Sequence, residues 1–135
     1  MFPALLLPDP AGLEVNSVTA DEGQAIIVVN LVVNQPAATC PLCHQVSEHV
    51  HSQYQRTLAD LPWAEFGVKL QVQVRRFFCH TEDCPRWIFT ERLPHVAAPW
   101  ARRTVRLAEA QRAIGLAVGA SMGSRLAEKL NMPSR

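Results

Sequence analysis

The stretch VKLQVQVRRFFCHTEDC, from Val68 to Cys84, decides the fold because it joins an alternating strand to two cysteines. Its apolar residues occur at every second position from Val68 to Val74, with charged or polar residues between them. A period of two is typical of a half-buried strand, since successive side chains point to opposite faces. The stretch therefore predicts a β-strand that ends at Cys79, in one half of a two-part cysteine site.

The other two cysteines are Cys40 and Cys43 in CPLC, and 35 residues separate Cys43 from Cys79. Zinc prefers four tetrahedral ligands, and two tight loops that each give two thiolates provide them with little chain strain. The segment between the pairs contains two strand-like runs, so a hairpin can return the second pair to the first. The spacing predicts a zinc ribbon in which Cys40, Cys43, Cys79 and Cys84 hold one structural Zn²⁺.

Two other uses of the cysteines fit the sequence less well. A redox C-x-x-C should follow a strand and open a helix, whereas CPLC follows a polar loop and precedes extended residues. Catalytic zinc needs an open coordination position, which four protein ligands do not leave. His44 and His80 each follow a cysteine directly, and with four cysteines present we expect neither to be a ligand.

The start of the chain, MFPALLLPDPAG, does not resemble a secretory signal. It is apolar but contains three prolines and lacks the positively charged residues that open such a signal. No segment is long and apolar enough to cross a membrane. We therefore expect a cytoplasmic protein, in which disulfides are rare and close cysteine pairs bind metal.

Strand-like segments also lie outside the cysteine site. LEVNSVTA (13–20) and QAIIVVNLVV (24–33) flank the turn signal DEG (21–23), which predicts an N-terminal β-hairpin. A further extended segment covers 46–58, and we expect DLP (60–62) to interrupt it.

After Pro99 the period of apolar residues changes to that of a helix. The segment from Trp100 to Gly119 places Trp100 and Leu107 on one apolar face, with Pro99 in the first turn and Gly119 as the stop. Residues 121–132 predict a second, shorter helix. The helical pattern contrasts with the alternation before it, so the helices should follow the strands along the chain.

Together these elements predict an α+β protein: a small antiparallel β zinc ribbon with an N-terminal β-hairpin and C-terminal helices. The 135 residues are 48% hydrophobic, which suffices for a modest core, and we expect each of the three tryptophans to lie in it. We place the hairpin region at 1–36, the zinc ribbon at 37–95 and the helical region at 96–135.

The net charge of +1 conceals an uneven distribution of charged side chains. Residues 1–60 hold six acidic side chains and one basic one, whereas residues 69–106 hold eight basic and three acidic ones. This distribution indicates a surface that could meet a polyanion, with ordinary surface scatter as the alternative. The sequence has no nucleophile motif, no glycine-rich phosphate loop and no carboxylate pair tied to a plausible pocket, so we expect neither an enzyme nor a small-molecule substrate.

Several segments resemble, in order and spacing, the N-terminal region of bacterial transposases of the ISL-three family of insertion sequences. They are CPLC, HVHSQYQRTLADLPW, VKLQVQVRRFFC, CPRWIFTERLP and PWARRTVRLAEAQRAIGLAVG. That family begins with a zinc-finger domain, continues into a helix-turn-helix and ends in a catalytic domain of the DDE type. The resemblance runs from about Cys40 to the C-terminus. It implies zinc ligation by the four cysteines and double-stranded DNA, at insertion-sequence terminal repeats, as the partner.

The resemblance also implies a framework and a DNA-binding surface. The positions that match the framework are Arg56, Asp60, Leu61, Pro62, Arg75, Arg76, Phe89, Glu91 and Arg92. Arg75 and Arg76 stand beside the second cysteine pair, where they could hold a phosphate. The alternative is that they pair with Glu82 or Asp83. The candidate DNA-binding residues are Arg75, Arg76, Lys69, Arg86, Arg102 and Arg103.

This sequence departs from the family pattern after its helical region. The DDE domain has no counterpart, so the chain looks like a truncated transposase product or an N-terminal fragment. The helix-turn-helix looks incomplete, since with 121–131 as its first helix the recognition helix would begin near Ser134. Two other interpretations stay open: a zinc-stabilised protein interaction module, which could self-associate, and an inert transposase remnant.

Overall fold

A computed structural model describes residues 6–132 and shows a mixed α+β protein made mostly of strands. The strands are β1 (Leu13–Asp21), β2 (Ile26–Val33), β3 (Ala38–Thr39), β4 (Val46–Ser47), β5 (Val50–Trp63), β6 (Phe66–Phe78) and β7 (Ile88–Thr90). The helices are α1 (Val105–Val118) and α2 (Ala120–Lys129). The predicted α+β class is confirmed. Within 6–132 neither helix has the length and apolar character needed to span a membrane.

The long alternating stretch becomes β6, the central strand of a five-stranded sheet in which β1, β2, β6 and β5 follow one another. β1 and β2 form the predicted antiparallel hairpin, and β2 then pairs in parallel with β6 over residues 67–73. β5 pairs antiparallel with β6 along its other edge, while β7 pairs with the last residues of β6. The hairpin and the strand that leads to the cysteines therefore share one sheet. The region boundaries at residues 36 and 95 stay predictions.

β6 carries two separate apolar clusters on its opposite faces. Val68, Leu70, Val72 and Val74 point into one cluster, which we call the sheet core, together with buried residues of β2 and β5. Phe77 lies on the other face and packs with Cys40, Cys79 and Phe89 in a second cluster, the cysteine core. Because side chains alternate along a strand, one element can serve both clusters. β6 thus ties the metal site to the main sheet.

The DLP sequence does not interrupt β5, contrary to the prediction. β5 runs through it to Trp63, and the pairing with β6 shifts register between Asp60 and Trp63. A proline cannot donate a ladder hydrogen bond, and such irregular positions are where strands accept it. Leu61 and Pro62 therefore form an irregularity within a continuous strand.

The first helix begins later than predicted, at Val105, with Thr104 as its N-cap. The Thr104 hydroxyl accepts a hydrogen bond from the Leu107 backbone N–H at 3.3 Å. The preceding residues instead bridge to the edge of β5, where Ala59 N–H donates to the Arg102 carbonyl and Thr104 N–H donates to the Ala59 carbonyl, both at 2.9 Å. These tertiary bonds override the helical pattern of the segment. The prediction of Pro99 and Trp100 in the helix is therefore wrong.

The break between the helices is confirmed at Gly119, whose φ of 85° suits a residue without a side chain. The helices pack closely there, since a Cβ on Gly123 would lie 3.0 Å from the Gly115 Cα. The predicted helix over 121–132 corresponds to α2. The predicted helix-turn-helix turn covers 131–134, and its second half and the recognition helix near Ser134 lie outside the described residues.

Candidate metal centre and basic surface

The first cysteine pair lies in a tight loop between β3 and β4. Cys40 N–H donates to the Gln45 carbonyl, and His44 N–H donates to the Cys40 carbonyl, both at 2.9 Å. His44 closes this turn with a φ of 64°, a left-handed conformation that histidine adopts more readily than most residues. The loop therefore presents both thiols on one side, and His44 serves the turn.

The second pair lies where the chain leaves β6 and returns in β7. Cys79 N–H donates to the Trp87 carbonyl at 2.8 Å, and Cys84 N–H donates to the Thr81 carbonyl at 3.1 Å. These two bonds close the loop around the thiols. Behind it, the stacked rings of Phe77 and Phe89 lie 5.8 Å apart and fill the cysteine core.

The two loops bring the four sulfur atoms within 4.8 Å of one another. Cys40 Sγ lies 3.9 Å from Cys84 Sγ, and Cys43 Sγ lies 3.6 Å from Cys79 Sγ. Four thiolates at about 2.3 Å from a tetrahedral zinc lie roughly 3.8 Å from one another. The sulfurs are much farther apart than the ~2.0 Å of a disulfide bond. The donor set and its spacing fit a structural zinc ion with no open position.

The surroundings of the thiols affect their ionisation unequally. Cys43 Sγ donates a hydrogen bond to Thr81 Oγ1 at 3.5 Å. This bond is the main reason why the pKa of Cys43 is lowered to about 6. Burial is the main cause that raises the pKa of Cys84 to about 12. A coordinated metal ion deprotonates a thiol outright. Zinc would therefore hold both as thiolates despite this difference.

The histidines near the cysteines belong to the surface around the site. The rings of His49 and His80 meet edge to face at 4.8 Å, and the His51 ring packs on Phe78 at 5.0 Å. Within residues 6–132 the four cysteines are the one group of three or more potential ligands close enough to hold a metal ion. His44 and His80 are not among them.

Arg75, a candidate DNA-binding residue, is engaged inside the protein. Its guanidinium donates to both carboxylate oxygens of Glu91 at 3.0 Å, and its backbone N–H donates to the same carboxylate at 2.8 Å. It also lies over the Phe77 ring, 4.9 Å from the centroid. The partner is Glu91 rather than the Glu82 or Asp83 considered from sequence. This arrangement favours a structural role for Arg75.

The remaining candidate DNA-binding residues lie on different parts of the surface. Arg76 lies over the Tyr54 ring at 4.3 Å, on the face of β6 that bears the sheet core. Lys69 lies on the opposite, polar face, and Arg103 donates to Gln111 of α1. Arg102 is exposed beside the β5 edge. The structure therefore does not gather all six candidates into one patch.

A groove of about 620 Å³ collects a different set of basic residues. We call it the arginine groove, and its lining includes Tyr54, Arg76, Arg86, Ile88, Arg92 and Trp100. Arg86 is among the candidates from sequence, whereas no sequence pattern places Arg92 in this groove. Arg92 lines the groove because of the path that the chain takes after β7, and no local sequence pattern predicts that path.

The tryptophans also depart from expectation. Trp63 packs against the sheet core as predicted. Trp87 and Trp100 do not lie in the core, since 74% and 94% of their surfaces are exposed. Both lie outside the strands and helices, Trp87 just before β7 and Trp100 in the turn before α1.

The fold and the four-thiol site define a zinc ribbon of the structural type. Residues 36–84 match the family model described as the zinc-finger of transposase IS204/IS1001/IS1096/IS1165. The matched segment contains all four cysteines and the whole of β6. This segment is therefore similar to the zinc-finger of these transposases. No curated protein and no solved structure matches the chain.

Proposed function

We propose that this protein is the DNA-recognition region of an insertion-sequence transposase, which binds the terminal repeats of its element in the cytoplasm. The observation that carries the proposal is the coincidence of the transposase zinc-finger match over 36–84 with a four-thiol site in the same residues. The helical region after residue 96 would form part of a helix-turn-helix. The zinc ribbon would position this region on the DNA.

In this function the zinc is structural. Cys40 and Cys43 would hold it from the β3–β4 loop, and Cys79 and Cys84 from the loop between β6 and β7. The ion would crosslink these two loops, because all four of its coordination positions would be filled by cysteine thiolates. Purified protein should carry one zinc per chain by elemental analysis, and Cys84→Ser should abolish stoichiometric zinc. Protein without metal, or a Cys84→Ser variant with full zinc content, would contradict the assignment.

DNA binding is tested with fluorescently labelled duplexes that carry either an insertion-sequence end or a scrambled sequence. Phosphate contacts alone give dissociation constants of roughly 10⁻⁴ to 10⁻⁶ M at physiological salt. If about four basic side chains reach phosphates, the slope of log affinity against log salt should be near −3.6. Anisotropy that does not respond to duplex at low salt would refute the proposal.

A second function, protein interaction, is favoured by the helices. Leu116 and Met122 expose 83% and 61% of their surfaces, and Leu126 and Leu130 are exposed on the same helix pair. Met122 and Leu126 stand four residues apart on α2 and so share one face, and exposed apolar patches mark interaction surfaces. Analytical ultracentrifugation without DNA distinguishes the two functions, since self-association with no DNA binding would favour interaction.

We expect no strand cleavage from this chain in either function. The sequence contains no recognisable acidic triad for catalytic magnesium. Incubation of the purified protein with a supercoiled plasmid and Mg²⁺ tests this. Nicking that co-purifies with the protein and disappears with Cys84→Ser would overturn the expectation.

A further inference from the structure

Trp100 has a backbone conformation that its side chain disfavours. Its φ is 67°, in the left-handed region where a bulky residue other than glycine is uncommon. Its side chain is 94% exposed, so burial of the indole does not offset the strain. Backbone strain of this kind clusters at binding sites, where the surrounding structure maintains it. A β-turn holds this conformation, since Ala101 N–H donates to the Ala98 carbonyl at 3.1 Å and places Trp100 at the third position of the turn.

The loop that carries Trp100 is held in place by Arg56. The Arg56 guanidinium donates to the carbonyls of Ala98 and Ala101, at 2.6 and 2.8 Å. These two carbonyls lie on either side of Trp100 along the chain. The pinned loop forms one wall of the arginine groove and presents the indole at its edge.

The groove itself is strongly basic. Arg76, Arg86 and Arg92 line it, and within residues 6–132 no hydrogen bond or ion pair engages the guanidinium of Arg86 or Arg92. The acidic side chain in the lining, Glu91, is buried and already paired with Arg75. The two free guanidinium groups therefore face a groove without a free counter-charge.

An exposed aromatic ring beside free arginines is the combination that binds unpaired nucleotides. A base can stack on the ring while its phosphates meet the cations. A base within an intact duplex is already stacked on both sides, so its face is not open to Trp100. The volume of about 620 Å³ lies within the range of sites that take nucleotide-sized ligands.

We propose that the arginine groove binds a single-stranded stretch of nucleic acid, with one base stacked on Trp100 and adjacent phosphates on Arg86 and Arg92. This inference rests on the proposed function and adds a substrate class to it: an unpaired strand, such as a frayed or nicked element end. Duplex contacts elsewhere on the surface are a separate property.

The test uses the full chain and a labelled twelve-nucleotide oligothymidine, with the matching duplex measured in parallel. Trp100→Ala should weaken single-strand binding by roughly tenfold, the effect of losing one stacked base. Trp87→Ala is the matched control, because Trp87 is also exposed but does not line the groove. Arg86→Ala combined with Arg92→Ala should reduce the single-strand salt slope by about 1.4. Lys69→Ala, on the opposite face of the sheet, should not change it.

A second variant separates a binding role from a structural one. Trp100→Gly removes the indole and also relieves the left-handed strain, so the melting temperature should stay equal or rise while single-strand affinity falls. A fall in both quantities would make Trp100 a structural residue and overturn the inference. Trp100→Phe should retain most of the affinity.

The remaining outcomes separate this inference from the proposed function. Duplex binding that persists while single-strand binding is unaffected by Trp100→Ala would remove the inference and leave the function standing. Failure of the wild-type chain to bind either duplex or single strand would remove both. Polyglutamate at the same concentration of negative charges is a further competitor. If it displaces the oligonucleotide, the groove binds any polyanion and the inference is overturned.

Discussion

Arg75 and Glu91 form an ion pair that is almost closed to solvent, with 15% and 4% of their side chains exposed. The pair joins β6 to the residue after β7, and the carboxylate also accepts from the Arg75 backbone N–H. Removing one partner of a buried pair leaves the other charge without compensation. The Arg75–Glu91 pair therefore stabilises the part of the sheet that packs beside the cysteine core.

We expect Arg75→Ala to destabilise the protein by about 3 kcal/mol, because Glu91 is left buried without its cation. Urea denaturation followed by circular dichroism measures this. Arg76→Ala, at the next residue along β6, is the matched control. It removes the contact of Arg76 with the Tyr54 ring, which should cost about 1 kcal/mol or less. Equal effects of the two substitutions would contradict the distinction between them.

The sequence predicts the cysteines at residue level because their short spacings encode the two loops directly. It does not predict the Arg75–Glu91 pair, whose members come together through the pairing of Arg76 with Thr90 across β6 and β7. Glu82 and Asp83 were closer in sequence, but their positions lie in the cysteine loop. Long-range strand pairing decides which acid Arg75 meets.

At the level of elements, Asp60 fixes the start of α1 against the sheet. Its carboxylate accepts from the Thr104 hydroxyl at 2.7 Å and from Arg106 Nε at 2.8 Å. Arg106 also donates to the Leu6 carbonyl at 2.7 Å, which draws the N-terminal segment to the same point. One buried carboxylate thus connects β5, the helix cap and the segment before β1.

Asp60→Ala should destabilise the protein by about 3 kcal/mol, since Thr104 and Arg106 lose their shared acceptor. Glu109→Ala, an exposed acid on the same helix, is the control and should change stability by less than about 0.5 kcal/mol. Urea midpoints of both variants give the comparison. A midpoint for Asp60→Ala that matches the control would show that the network contributes nothing to stability.

The two helix glycines provide a pair of substitutions with opposite expected signs. Gly115→Ala meets nothing within 4 Å and should stabilise by about 1 kcal/mol through helix propensity. Gly123→Ala places its Cβ 3.0 Å from the Gly115 backbone, so the helices must separate and stability should fall. Thermal denaturation distinguishes them. A gain from both would mean that the helices do not pack at this point.

For the whole molecule, the two apolar clusters suggest two levels of stability. Zinc crosslinks the loops of the cysteine core, whereas the sheet core contains no cysteine. We expect a strong chelator to increase amide hydrogen exchange at residues 40–47 and 79–89 before it does so in β2 and the first half of β6. Simultaneous exposure of all these amides would show one cooperative unit that depends on the metal throughout.

The general architecture follows from patterns that act over a few residues: the alternation in β6, the turn in the hairpin and the cysteine spacing. Two departures share another cause. β5 continues through Leu61 and Pro62, and α1 starts at Val105, because β6 and the β5 edge offer hydrogen bonds to distant segments. The groove around Trp100 depends on the same distant contacts, so no local pattern in the sequence predicts it.

The parallel pairing of β2 with β6 has a consequence for synthesis of the chain. The ribosome releases β2 early, but its partner strand emerges only after the whole first cysteine loop and β5. During this interval the IIVVNLVV strand, paired with β1 on one side, keeps an apolar edge with open backbone groups. Such an edge is a site for pairing between nascent chains. Slow translation between residues 34 and 66 would lengthen that exposure and lower the yield of folded protein.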